Sequence, residues 1–189
     1  MPPWKQFEDY LRLITPEPDE QEIQRRWFNQ REVTLWRALY AATLSISYRP
    51  FPVGCAVWGF KPHAHPFERY DIYKGANIKA LEEFSKICAE MTSLMGAMQH
   101  GFSRAVGIVI AGQPREEDTE DVLYPCDRCR LTMRKIPIVR EDTHVILARP
   151  KYDDVYTRLE EPIEDLFSHI VETTMGEIWK KFNTPRADP

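Results

Sequence analysis

Apolar residues in this chain recur at two spacings, and the switches between them outline the elements. Over roughly 20–45, Val33, Trp36, Leu39, Tyr40 and Thr43 fall three and four apart, which predicts a long helix with one buried stripe. Tyr48-Arg49-Pro50-Phe51-Pro52 ends it, because a residue before proline is pushed out of helical conformation. Upstream, Trp4, Phe7, Tyr10, Leu11 and Ile14 share one helical face over 4–14, and Thr15-Pro16-Glu17-Pro18 breaks that pattern. Val53 to Phe60 is short and apolar and predicts a strand, with Gly54 and Cys55 small enough for close backbone approach. Tyr70 to Ile78 predicts a second strand, after an exposed loop that carries His63 and His65.

The next stretch, 81–100, reads as a helix with Cys88, Met91, Met95 and Met98 on one side, a stripe expected in the core. Arg104 to Ala111 predicts a buried strand, and Gln113 to Asp121 a solvated acidic loop. Pro125 opens a short helix to about Lys135, since proline suits a first helical turn. His144 to Ala148 is a further strand. Ile163, Leu166, Phe167, Ile170 and Val171 predict a helix, and Met175 to Phe182 another. Strands alternating with helices give an α/β chain, read here as three α/β/α layers around one mixed central sheet.

Composition narrows the possibilities. A chain of 189 residues, 43% apolar and 29% charged, can bury a core and fits one domain with short extensions. The division expected is an N-terminal extension over 1–30, a main domain over 31–171 and a helical extension over 172–189. A net charge of −4 speaks against a protein whose main work is gripping nucleic acid. No apolar run reaches membrane-spanning length, and no secretory leader is visible, so a cytoplasmic protein away from membranes is expected. In a reducing compartment, Cys55, Cys88, Cys126 and Cys129 are not expected to form a disulfide framework.

The chemistry concentrates in two short motifs, Cys88-Ala89-Glu90 and Pro125-Cys126-Asp127-Arg128-Cys129, each at or near a helix start. Two cysteines at i and i+3 can reach one ion, and a third brings the set to three thiolates, which would hold zinc and leave a fourth position open. Helix N-termini favour thiolates, and Arg128 and Arg130 are candidates to offset the sulfur charge, against the plainer reading of solvated surface arginines. Other readings of the sulfurs are a closed four-cysteine structural site that recruits Cys55, a redox C-x-x-C pair, and two simply buried cysteines. Glu90 favours catalysis: a structural site has no use for a spare carboxylate two residues after a ligand, whereas a hydrolytic deaminase uses one to move protons.

At these residues the chain resembles the cytidine deaminase family, in its nucleoside-acting branch with three zinc cysteines, over roughly residues 32–170. Ser47-Tyr48-Arg49-Pro50-Phe51-Pro52-Val53-Gly54-Cys55-Ala56 is similar to the family's segment after its first helix, and Gly75-Ala76-Asn77-Ile78 to its G-x-N-V strand end. The resemblance implies a zinc-dependent aminohydrolase that converts a cytidine-type nucleoside to its uridine counterpart plus ammonia. Cys88, Cys126 and Cys129 would bind Zn²⁺, Glu90 shuttle protons, Phe51 pack on the base and Asn77 bond the sugar. Backbone at Ala89 and Pro125 would read the ring. A homo-oligomer is also implied, a tetramer or alternatively a dimer, with Phe167 where the family places an aromatic near a pocket.

There are departures. Lys79 stands where the family has a ribose-binding Glu, which reverses the charge and points to a substrate bearing phosphate or carboxylate. Arg128 and the missing Glu resemble blasticidin-S deaminase, so a nucleoside-antibiotic or other modified aminopyrimidine substrate is the alternative. A polynucleotide deaminase and a non-catalytic zinc module remain further alternatives.

Overall fold

A strand in which every residue is buried must lie inside a sheet, and Val53–Phe60 (β2) does. In the computed structural model, which describes residues 19–47, 51–65, 68–79, 86–114, 120–151 and 161–183, β2 pairs antiparallel on both sides. Its neighbours are Tyr70–Ala76 (β3) and Arg104–Gly112 (β5). Two short strands, Ile46–Ser47 (β1) and Ile78–Lys79 (β4), pair with each other in parallel outside that sheet. His144–Pro150 (β6) runs parallel to β5, and Phe167–Thr174 (β7) antiparallel to β6. The order β3-β2-β5-β6-β7 makes one mixed five-stranded sheet.

Side chains alternate across β2 and sort the helices onto two faces. Ala56 and Trp58 face Glu20–Thr43 (α1), where they meet Ile23, Trp27, Leu35, Ala38 and Leu39. Val53, Cys55 and Val57 face Ala89–Gln99 (α2), Asp127–Met133 (α3) and Met175–Lys181 (α5), through Leu94, Ala97, Met133, Ile178 and Trp179. This is the three-layer α/β/α arrangement with a mixed sheet that the element order predicted. No helix among the described residues is long and apolar enough to cross a membrane.

Four sequence readings need correction. In α1, Val33, Tyr40 and Thr43 are exposed, and the buried line runs through Thr34, Leu35, Ala38, Leu39, Ala41 and Ala42. The cause is proximity: a Cβ on Gly54 would sit 1.9 Å from the Ala38 carbonyl oxygen and 2.5 Å from the Ala42 nitrogen, so the contact face takes the smallest side chains. In α2 the expected stripe holds only in part: Cys88 and Met91 pack against the core. Met95 and Met98 are exposed, because Ser93, Leu94, Gly96 and Ala97 occupy the buried side. That helix also starts at Ala89 rather than 81; Ile87 exchanges both backbone bonds with Ile78, at 2.9 Å each, and is therefore not helical. Finally, the helix expected over Ile163 to Val171 is one turn, Ile163–Leu166 (α4), followed by β7. β7 is an edge strand with a mostly exposed pattern, which hides the alternation that marks buried strands. The amphipathic segment over 4–14 lies outside the described residues.

Candidate active site

Both cysteine motifs enter helices in the same way. Cys88 precedes α2 with φ −77 and ψ 154, and Cys126 precedes α3 with φ −65 and ψ 165. These are extended N-cap conformations, and neither sulfur caps its helix. Cys129 follows one turn into α3. The Cys88 and Cys126 sulfurs are 3.9 Å apart, and all three lie within 4.8 Å of one another. Bonds of about 2.3 Å to one tetrahedral ion put sulfurs about 3.8 Å apart, so the set fits a Cys₃ metal site. Cys55 is not in the cluster; it is wholly buried in the core, where desolvation pushes its thiol up.

The donor set is also electrostatically short of a cation. The Cys88 thiol is pushed up to about 11, first by its interaction with Cys126, and Cys129 is held higher still by both partners. Three thiols in one place cannot all ionise unless positive charge arrives, which a metal ion supplies.

Glu90 is the second residue of α2 and is buried. Burial is the main force that pushes its carboxyl up to about 7; the Cys126 charge adds to the rise, while a hydrogen bond with its own backbone, one with Cys129 and the Lys79 charge oppose it. Ser93 Oγ donates to the Ala89 and Glu90 carbonyls at 2.9 and 3.1 Å and ties this first turn together.

Phe51, Asn77, Lys79, Ala89 and Glu90 line one cavity with Cys88 and Cys126. Residues far apart in the chain therefore meet at one cavity, whereas Pro125 and Cys129 do not line it. Val53, Leu123 and Tyr124 also line it and went unnoticed in the sequence; the only signal was that Tyr124 abuts Pro125. The cavity holds ≈ 20 Å³, room for about one water, so a pyrimidine enters only if a wall side chain swings aside.

The remaining sequence candidates fall differently. Asn77 Oδ1 accepts from Val53 N at 2.8 Å and Ser45 Oγ at 2.7 Å, and Nδ2 donates to the Phe51 carbonyl at 3.0 Å. Arg128 is exposed. Arg130 is buried, but its guanidinium donates to the Pro125 carbonyl at 2.5 Å and to the Asp127 carboxylate, and lies 4.0 Å from the Phe182 ring centroid. Those bonds go to the backbone and carboxylate around Cys126 rather than to sulfur. Phe167 packs into the core on the α1 side, away from the cavity.

No family model and no curated protein sequence matches this chain. Solved structures do. A cytidine deaminase from Burkholderia pseudomallei aligns at 17% identity over 77% of this chain and 93% of its own, with a TM-score of 0.54. A mutant cytidine deaminase from Mycobacterium tuberculosis aligns at 16% identity over 78% of this chain and 93% of its own, with a TM-score of 0.51. At such identities the likeness establishes the fold: this chain is built as those cytidine deaminases are.

Proposed function

We propose that the protein is a zinc-dependent hydrolytic deaminase of a cytidine-type nucleoside or a close derivative. The observation that carries this reading is a buried carboxyl, Glu90, on the wall of the same cavity as Cys88 and Cys126, two of the three clustered sulfurs. Cys88, Cys126 and Cys129 would hold the ion. When bound, zinc supplies Lewis-acid activation of the attacking water.

The chain's own groups do the rest. Phe51 and Tyr124 offer faces against which a ring can lie, and Ala89, in the first turn of α2, offers a backbone group to read it, whereas the Pro125 carbonyl is taken by Arg130. Glu90 takes a proton from the attacking water and gives one to the ring nitrogen next to the amino-bearing carbon, C4 in cytosine. The water oxygen bonds to that carbon; Glu90 then takes the remaining proton of the new hydroxyl and hands it to the amino group, so that the carbon–nitrogen bond breaks, the carbonyl forms and ammonia leaves. Burial, which pushes the Glu90 carboxyl up, suits this task, because it eases the holding of a proton between transfers.

Domain division and assembly belong to the same reading: 31–171 as the catalytic unit, flanked by the two extensions, in a homo-oligomer that is tetrameric or dimeric. A second substrate reading, a modified aminopyrimidine of the blasticidin-S kind, is favoured by Lys79 on the cavity wall.

The test is ammonia release from cytidine, deoxycytidine, their monophosphates and blasticidin S, with zinc content measured on the same sample. Glu90→Gln should keep its zinc and lose about 10²–10⁴-fold in turnover. Full turnover in that variant would end the assignment.

A further inference from the structure

Asn77 and Lys79 flank Ile78 and reach the same cavity, yet their side chains are in opposite situations. Asn77 is 1% exposed, and its amide is already committed to Val53, Ser45 and Phe51. It braces the chain entering β2 and has one N–H left to offer. Lys79 is half-buried, with its ammonium 5.1 Å from the Phe51 ring centroid and its charge felt at Glu90.

Among the described residues, Lys79 is the one cation on the cavity wall. Asn77 keeps one N–H and Tyr124, which accepts from Lys181 Nζ at 3.4 Å, keeps its own O–H, but both are neutral. A charged part of a ligand that extends past Phe51 therefore meets Lys79. Three thiolates on a dication, with Glu90 beside them, leave the surroundings negative, so an anionic group would be repelled there without Lys79.

We propose that the substrate carries an anionic group, phosphate or carboxylate, on the sugar end, and that Lys79 binds it as a charge-assisted hydrogen-bond donor. The proposal rests on the deaminase reading above.

The experiment is equilibrium binding of product-type ligands, which needs no turnover. Uridine, uridine 5′-monophosphate and uridine 5′-carboxylate are titrated into zinc-loaded wild type, Lys79→Gln and Lys79→Arg, each checked for fold and zinc content. The phosphate should bind about 10–100-fold tighter than uridine, with the carboxylate between them. That gain should shrink with added salt, vanish in Lys79→Gln with uridine binding retained, and persist in Lys79→Arg. Equal affinities in wild type, or equal weakening of all three ligands in Lys79→Gln, overturn the proposal and leave the deaminase reading standing. If none of the three binds, the pyrimidine reading fails and the proposal with it.

Discussion

The two faces of the central sheet are assembled by the same device and put to opposite uses. On each, a strand glycine lets a helix backbone come close: Gly54 against α1, and Gly75, where an added Cβ would lie 2.5 Å from the Ser93 nitrogen, against α2. On the α1 face this closeness seals an aromatic core. Trp27 and Trp58 lie 6.0 Å apart between centroids, and Trp58 stacks on Tyr70 at 5.0 Å. On the other face it brings a helix start to the sheet and, with it, a buried carboxyl and clustered thiols. One face gains stability from burial. The other carries a buried carboxyl beside clustered thiols, an arrangement that costs stability while no cation offsets it, as expected where local rules give way to chemistry.

The largest effect follows from that contrast. Removing metal from the loaded protein should lower its stability by about 4 kcal/mol where zinc stood near a thousand times its dissociation constant. Loss of hydrogen-exchange protection should begin in the first turns of α2 and α3, around Glu90 and Arg130. Amides of α1 between Leu35 and Ala42 should keep their protection. Equal early loss in α1 would mean that the faces act as one unit and that the comparison is mistaken.

A smaller effect separates the faces by backbone contact. Gly54→Ala forces α1 off β2 against carbonyl and amide atoms, for about 3 kcal/mol, the upper end of overpacking. Gly75→Ala meets Ser93 and Thr92 at longer distances, 2.5 and 2.9 Å, and should cost about 2 kcal/mol. Chemical denaturation reads both. The distinguishing measurement is kcat below the unfolding range: Gly75→Ala should lower it, because α2 carries Glu90, while Gly54→Ala should leave it near the wild-type value.

What the sequence could reveal divides along the same line. β2, β5, β6 and α5 are legible because burial or amphipathicity is strong over several residues, and the cysteine–glutamate motifs because few chemistries use that spacing. The buried stripe of α1 was misread since periodicity weighs large residues, whereas the contact selects Ala38 and Ala42. Met95 and Met98 failed for the same reason. β7 failed because a half-solvated edge strand carries little pattern. In the cavity, Leu123 and Tyr124 look like ordinary core in the sequence, and nothing in the spacing of Asn77 tells that its amide is committed to backbone.

The smallest effect comes from a histidine in the α1 layer. His144 Nε2 donates to Gln24 Oε1 at 2.6 Å, and the ring stacks on Trp27 with centroids 6.0 Å apart. Burial holds its pKa below the usual histidine value; the Asp142, Glu172 and Glu20 carboxylates pull it up, and the Arg104 guanidinium pushes it down. A histidine depressed in the folded state costs nothing above its unfolded pKa, about 6.5, where both states are neutral. As pH falls below that value the unfolded chain takes a proton that the native ring resists, so stability is lost until the folded pKa is passed. Urea denaturation at pH 7.5 and 5.5 should show wild type losing more stability across that interval than His144→Gln, which keeps a polar group near Gln24 but cannot titrate. Identical losses would place the acid sensitivity elsewhere, and the α1 face would then be as indifferent to protons as its apolar core suggests.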